Sequence, residues 1–320
     1  ARSEIAILYR SNAQSRIIEH GLFSAGIPYR VYGGLRFFER AEIKHALAYL
    51  RLLENPNDDT SFARVVNFPT RGIGAKSVET LQDSAKANNC SFYAAAPYLE
   101  GKAGSSIGAF VRLIDHMRDS TRYFTLPETV DYVIQHSGLI QHYLTEREGQ
   151  DRVENLQELV NAATAFIAEE GFAQDTIAGT SSDEPVIEMS PLAGFLAHAS
   201  LEAGDNQAQA GQDAVQLMTV HAAKGLEFTT VFITGLEEGL FPHENSVNEE
   251  DGLEEERRLM YVAITRAKER LFLSHTQSRL LHGQVRYNLP SRFLDELPSE
   301  SLKHLTPKNK DARWGAATTR

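Results

Sequence analysis

Apolar positions along this chain follow two different periods, and the period changes twice. Near the start, "EIAILYR" is a short apolar run of the kind that forms a buried strand. "SNAQSRIIEHGLFSAG" then takes up helical spacing, with Ser11 placed as N-cap and Gly26 as the stop. "IPYRVYGG" predicts a second strand, so the chain opens with a strand–helix–strand unit of the parallel α/β kind. From "ERAEIKHALAYLRLLENP" the period is helical: Ile43, Leu47, Leu50 and Leu53 recur at intervals of three and four until Pro56 ends the run. The same period continues through "KSVETLQDSAKAN", "SIGAFVRLIDHMRDS", "LPETVDYVIQHSG" and "DRVENLQELVNAATAFIAEE". No strand alternation interrupts it, and the middle block predicts an all-α region.

Two soft stretches follow, "GFAQDTIAGTSSDEPVIEMSP" as a long surface loop and "EAGDNQAQAGQD" as a domain junction. Strand signals then return in "AVQLMTV", "TTVFITG" and "ERLFLSHT", with a helix in "GLEEERRLMYVAITRA". The expected organisation is one α/β domain split in sequence, residues 1–40 and 206–297, with a helical domain inserted at 41–205. Residues 298–320 form a polar tail ending in "RWGAATTR", which is expected to be disordered. The chain enters a strand almost at once and has no initial Met, which suggests a piece of a longer protein.

With 320 residues there is enough chain for two cores. The formal net charge of −11 argues against a protein that coats nucleic acid through a global positive field, so any such contact has to be local. Cys90 is the single cysteine, which excludes an intramolecular disulfide and a cysteine-cluster zinc site. No metal site is expected. No apolar run reaches the roughly 18 residues of a membrane span and no signal-peptide layout is present. A cytoplasmic location and no membrane partner are expected.

Candidate chemistry lies in four longer stretches and two smaller ones. In "MTVHAAKGLEFTTVFITG" two strand-like runs flank His221, Lys224 and Glu227 at intervals of three. If those residues form a helical turn at the carboxyl end of a strand they lie side by side, and Gly225 permits close backbone approach. Singly each reads as a solvated charge of a capped turn; together they read more as a site. In "EEERRLMYVAITRAKERLFL", Arg266 falls near a helix end, where it either complements the dipole or directs a guanidinium fork at a phosphate. In "FPTRGIGAKSVETL", Gly72 and Gly74 lead into a helix whose N–H groups could meet a phosphate, with Arg71 and Lys76 adding local charge. The bland alternative is a tight helix corner. In "RLLHGQVRYNLPSRFLDELP", "GQ" between two short runs signals a hairpin. Arg10 could reach a nucleotide or pair with an acid. Arg36, Phe37, Phe38 and Arg40 interleave charge with aromatics, a pattern suited to single strands, but packing of the hinge between domains is the favoured reading.

These stretches carry a resemblance. "VHAAKGLEF", "GLEEGLFPH", "EEERRLMYVAITRAKE", "PSRFLDELP", "YRSNAQSR" and "PYRVYGGLRFFERAEIKHALAYLRLL" resemble the UvrD/PcrA/Rep family of superfamily 1 DNA helicases, with its UvrD-like members nearest, in the family's order from Glu4 to Pro298. The resemblance implies an α/β fold in which a RecA-like parallel-sheet domain (2A, of the P-loop NTPase type) is split by an all-α insertion (2B). It implies that His221 contacts single-stranded DNA, Lys224 couples two motors, Glu227 with Gly225 lies at the nucleotide, and Arg266 is a catalytic arginine finger on the ATP γ-phosphate. Arg71, Gly72, Gly74 and Lys76 resemble a helix-hairpin-helix-like element that grips duplex DNA. Tyr287 is implied to stack on a terminal base pair, and Arg292 to touch the DNA backbone.

One departure matters. G-x-x-x-x-G-K-[ST] and a strand-ending Asp-Glu pair for Mg²⁺ are both missing. In the nearest decoy, "RGIGAKS", Ala75 stands where glycine is needed, and no strand precedes it. ATP and Mg²⁺ are therefore expected only in a whole protein that adds an N-terminal 1A/1B motor half, and this chain alone is expected to be inactive. Single-stranded DNA, duplex junctions and DNA-repair proteins are the implied partners, in repair or replication restart. A non-catalytic DNA-binding or regulatory module with a retained helicase fold is the alternative. A helicase–nuclease subunit is set aside because nothing after Pro298 resembles a nuclease domain.

Overall fold

A computed structural model describes residues 1–147, 149–170, 189–204, 212–281 and 284–305. Strands β1 (Ile5–Tyr9), β2 (Tyr29–Val31), β3 (Val215–Thr219), β4 (Phe228–Ile233) and β5 (Ala267–Leu273) form one sheet in the order β2-β3-β1-β4-β5. Every neighbouring pair is parallel. Helices α1 (Ser15–Ser24), α2 (Ala41–Glu54), α3 (Asp59–Val65), α4 (Ala75–Asn88), α5 (Phe92–Ala95), α6 (Gly101–Ser120), α7 (Leu126–His136), α8 (Leu139–Tyr143), α9 (Gly149–Glu170), α10 (Pro191–Gly204), α11 (Glu244–Val247) and α12 (Gly252–Ile264) complete the chain order, with a separate β6 (Ser278–Leu281) and β7 (Gln284–Tyr287) hairpin near the end.

The sheet joins the two ends of the sequence. Ala6 lies opposite Gln216 on one side and Val231 on the other, so β1 is central although it comes first. The opening strand–helix–strand unit is parallel, but β1 and β2 are not neighbours, because β3 lies between them. Local periodicity cannot report this, since a crossover leaves a gap that only a distant strand can fill. Ala6 and Leu8 are fully buried, as expected for a parallel strand covered on both faces. On one face Ile18, Leu22 and Phe23 of α1 meet Tyr9, Tyr29, Val215 and Leu217. On the other, Leu259, Met260 and Ala263 of α12 meet Leu8, Met218, Val231 and Ile233.

The α/β class read from the pattern is the observed one, with the helical block between the halves of the sheet. That block has its own core around α2, which buries Ile43, Leu47, Leu50 and Leu53 together with Ala46, Ala48, Tyr49 and Leu52. Burial nearly all round the helix makes it the central rod against which α3, α6, α7, α9 and α10 pack. Each fully buried Leu or Ile there contributes about 1.5–3 kcal/mol before entropy is subtracted.

Several sequence expectations shift locally. Ser11 does occupy an N-cap position, but of a 3-10 turn (Asn12–Gln14) that precedes α1, and its hydroxyl donates to Glu154 at 2.8 Å. Gly26 has φ +63°, the left-handed value that lets the chain leave α1. The proposed soft junction begins too early: Glu202 and Ala203 are still helical in α10, a helix absent from the sequence reading. The surface loop expected from 171 lies outside the described residues up to 188, and so does the tail from 306; Ser299–Ser301 forms a 3-10 turn. No helix among the described residues is long and apolar enough to cross a membrane.

The hinge reading of Arg36, Phe37, Phe38 and Arg40 matches the structure, which buries all four. Phe37 and Phe38 join the helical core. Arg40 spans the two units, donating to Asn12 O and Asn155 Oδ1 at 2.9 Å and to Ser15 Oγ at 2.6 Å. Asn155 in turn donates to Glu42 Oε1 at 2.7 Å.

Candidate functional site

The stretch from His221 to Glu227 is a crossing, not a compact helical turn. β3 ends at Thr219, level with Tyr9 at the carboxyl end of β1, whereas β4 begins at Phe228, before the level of Ile5 at the amino end of β1. Eight residues therefore carry the chain from one edge of the sheet to the other, a distance of roughly 17 Å for strands of this length. Turns at Val220–Gly225 start the crossing, with Val220 and Ala223 buried as pins. His221, Lys224 and Glu227 are exposed, and Gly225 has φ +87°, a value for which glycine is suited. The expectation that His221 and Glu227 lie side by side is corrected by this geometry: His221 belongs to the carboxyl edge and Glu227 to the amino edge.

Arg266 bonds the residues on either side of Glu227. α12 runs back against the strands and ends at the amino edge, where Phe228 N donates to Arg266 O at 2.9 Å. The Arg266 guanidinium donates from Nη1 to Leu226 O at 2.8 Å, from Nε to Val262 O at 3.0 Å and from Nη2 to Thr265 Oγ1 at 3.0 Å. A cation on the last carbonyls of α12 is the dipole arrangement the sequence allowed for. Guanidinium offers five N–H donors, so two are left after these three bonds. The amino edge thus offers an arginine with unused N–H donors and, on the segment it bonds, an exposed carboxylate, groups able to meet a polar anionic ligand.

At the carboxyl edge Arg10 pairs with an acid. Its Nε lies 3.0 Å from both Glu256 oxygens and its Nη2 2.6 Å from Oε1, with the Glu256 side chain 1% exposed. Burial alone would push the Glu256 carboxyl up, but Arg10 and the His243 N–H, at 3.1 Å, hold it below the ordinary range. Nearby, although His221 is exposed by surface area, partial desolvation by the surrounding elements and then the Arg10 charge push its imidazole below the ordinary value, favouring the neutral ring. Sequence reading singled out neither Glu256 nor its neighbour His243, whose Nε2 is 3.3 Å from Glu154 of the helical block.

Beyond β4 a buried carboxylate anchors the hairpin. Glu237 is 0% exposed and accepts from Thr276 N at 2.7 Å, Arg279 Nε at 2.7 Å and Asn288 Nδ2 at 2.9 Å. It stands in "GLEEGLFPH", where nothing in the local pattern marks it for burial. Ser278 pairs with Tyr287 and Leu281 with Gln284, so the Gln284 of "GQ" belongs to β7, while His282 and Gly283 lie outside the described residues. Tyr287 is 87% exposed. Arg292 pairs with Glu238 at the surface: Nε lies 3.1 Å from both Glu238 oxygens and Nη2 2.6 Å from Oε2.

The Gly-Ile-Gly element divides in two. Arg71 is turned inward, donating to Pro69 O at 2.9 Å, Val65 O at 3.2 Å, Ser137 O at 2.8 Å and Tyr49 Oη at 2.6 Å, and lying over the Phe110 ring. Its charge satisfies carbonyls at a helix corner, so the reading of Arg71 as a DNA contact meets a guanidinium already spent. Gly72, with φ +70°, Gly74 as N-cap of α4, and Lys76 are exposed, while Ile73 between them is buried as the peg of the corner.

Comparison with known proteins puts this geometry in context. Residues 1–278 match the family model described as UvrD-like helicase C-terminal domain. The chain is 47% identical over 313 residues to DNA helicase II of Escherichia coli (strain K12), covering 95% of this chain and 42% of that protein. It is 46% identical over 310 residues to DNA helicase II of Haemophilus influenzae, covering 94% and 41%. It is 40% identical over 321 residues to ATP-dependent DNA helicase PcrA of Bacillus subtilis (strain 168), covering 96% and 41%. The chain thus spans about two fifths of the length of these relatives.

Proposed function

The chain belongs to the UvrD-like helicase C-terminal domain family, and on that premise we propose that it is the C-terminal motor half of an ATP-dependent, 3′-to-5′ DNA helicase. The whole protein translocates on single-stranded DNA and unwinds duplex in DNA repair or replication restart, in the cytoplasm, with DNA-repair proteins as further partners. The observation that carries the reading is the division of the sheet into two edges: Glu227 and Arg266 share one, and His221 occupies the other. A motor needs its nucleotide and its track on separate surfaces joined by a direct connection, and residues 221–227 connect the two edges here.

ATP with Mg²⁺, when bound, supplies a hydrolysable phosphoanhydride. Glu227 and Arg266 would hold it on this side, Glu227 through the ribose hydroxyls and Arg266 through the γ-phosphate, where a guanidinium stabilises charge that develops in phosphoryl transfer. Gly225 lies with Glu227 on the nucleotide side, and Lys224, in the middle of the crossing, couples a shift there to His221. The facing wall, with its phosphate-binding loop and its Mg²⁺ carboxylates, comes from the N-terminal 1A/1B half, and without it this chain does not turn over ATP. Lys76 with the Gly72 and Gly74 backbone serves as a local duplex contact, and Tyr287 on its hairpin as a stacking platform at a duplex junction.

The test mixes this chain with a separately expressed 1A/1B half and measures ATP hydrolysis with and without single-stranded DNA. Turnover that depends on both halves and on DNA, and that Arg266→Ala abolishes, is expected. Halves that associate and bind ATP but never hydrolyse it would support a non-catalytic DNA-binding module instead.

A further inference from the structure

Where the helical block returns to the sheet, His20 of α1 meets His198 and Glu202 of α10, residues up to 182 positions apart. Glu202 Oε1 lies 2.7 Å from His20 Nδ1 and 2.8 Å from His198 Nε2, and one donor atom from each of the three residues falls within 4.8 Å of the others. The carboxylate is 7% exposed, and the imidazoles are 17% and 25% exposed. His20 presents its other nitrogen, Nε2, to Glu169 Oε2 at 3.1 Å. The Phe166 ring, 5.4 Å away centre to centre, flanks His198. Arg36 donates to the main-chain oxygens of Glu202 and Ala203, which pins the end of α10 without occupying the carboxylate through those bonds.

We propose that His20 Nδ1, His198 Nε2 and Glu202 Oε1 form a binding site for a divalent transition metal ion, with Zn²⁺ as the best-suited occupant. Two imidazoles and one carboxylate make a nitrogen-rich set that favours Zn²⁺, Co²⁺ or Cu²⁺ over Mg²⁺ or Ca²⁺. The donor atoms converge closely enough for small outward shifts to give metal–ligand distances of about 2.0–2.2 Å. Glu169 completes the carboxylate–histidine–metal arrangement, in which an outer acid fixes the tautomer and orientation of a ligating ring. His198 and Glu202 are four apart on one helix face, so α10 supplies two ligands from a rigid support. Water fills the remaining coordination. The ion ties α1 of the sheet unit to the last helix of the helical block, beside Arg36 on the connection between them.

The test is a Co²⁺ titration of the chelator-treated chain followed by visible absorption, then displacement by Zn²⁺. One Co²⁺ per chain with ligand-field bands that Zn²⁺ removes is expected. His20→Gln and His198→Gln should each weaken binding by about tenfold or more, whereas the exposed His116→Gln should not. Affinity unchanged in both site variants would mean an adventitious histidine and overturn the proposal. Circular dichroism checks that the variants fold. X-ray absorption of the Zn²⁺-loaded wild type gives an answer independent of them: two imidazoles in the shell are expected, and a shell with one or none would also overturn it.

Discussion

Arg10 and Glu256, 246 positions apart in sequence, form a two-pronged ion pair at the carboxyl end of β1. It links the first strand to the second turn of α12, and Glu256 also accepts the His243 N–H. Glu256→Gln should lower stability by about 3 kcal/mol, because it leaves a desolvated guanidinium short of its counter-charge. The folded carboxyl is held below its ordinary 4.5, so its contribution is complete above that pH and is lost as pH falls through the lowered value. Urea midpoints at pH 7 and in mild acid measure both effects. A variant as stable as wild type at pH 7 would refute the pairing.

Backbone conformation makes two glycines respond oppositely to alanine. Gly225 sits at φ +87° with open space around a would-be Cβ, so Gly225→Ala costs about 1–2 kcal/mol through conformation alone. Gly21 is inside α1 with nothing within 4 Å, and Gly21→Ala should stabilise by about 0.5–1 kcal/mol. Thermal melts of the two variants should move in opposite directions.

Arg71 and Lys76, five residues apart, should separate folding from DNA contact. Arg71→Lys is expected to cost about 2–3 kcal/mol, since a lysine cannot serve the four acceptors Arg71 reaches. Lys76→Ala should leave the melt unchanged, weaken duplex binding across all sequences and reduce the salt slope by about 1. Duplex affinity insensitive to Lys76→Ala would remove this corner from the DNA interface.

His45 gives the helical block an acid limb. Its ring stacks on Phe68 with centroids 3.8 Å apart, and its Nδ1 is 2.7 Å from Tyr143 Oη. Burial, reinforced by the charge of Arg64, pulls its pKa down from 6.5 to about 4. Between those values the unfolded chain binds the proton and the folded one does not, so stability falls as pH drops through that window, by up to about 3 kcal/mol, and levels off below it. His45→Gln should flatten that part of the stability profile; an unchanged slope would sink the assignment.

Glu237 and Tyr287 test whether the hairpin is a positioned tool. Tyr287 is 87% exposed, so Tyr287→Ala should change stability by less than about 0.5 kcal/mol while lowering strand separation by the reconstituted halves. Glu237→Ala, which strands Arg279 and Asn288, should lower both. Unwinding unaffected by Tyr287→Ala would leave the ring without a role at the junction.

The sequence by itself determined the element types and the split of the α/β unit, because burial imposes a period of two or near-continuous runs on strands and 3.6 on helices. "EIAILYR", "AVQLMTV" and α2 were readable for that reason. It also carried the long motifs by which the family is recognised. Tertiary structure alone decided strand order, since the place of β3 between β1 and β2 depends on packing across nearly 200 residues. It decided that Glu227 keeps company with Arg266 rather than with His221, because intervals of three imply adjacency only on a helix, and residues 221–227 must cross a sheet. It turned Arg71 inward, where carbonyls at a corner outcompete solvent. And it brought His20 to His198 and Glu202 through a helix that the sequence reading passed over. Metal-ligand geometry has no sequence period when its members sit on elements joined only by the fold.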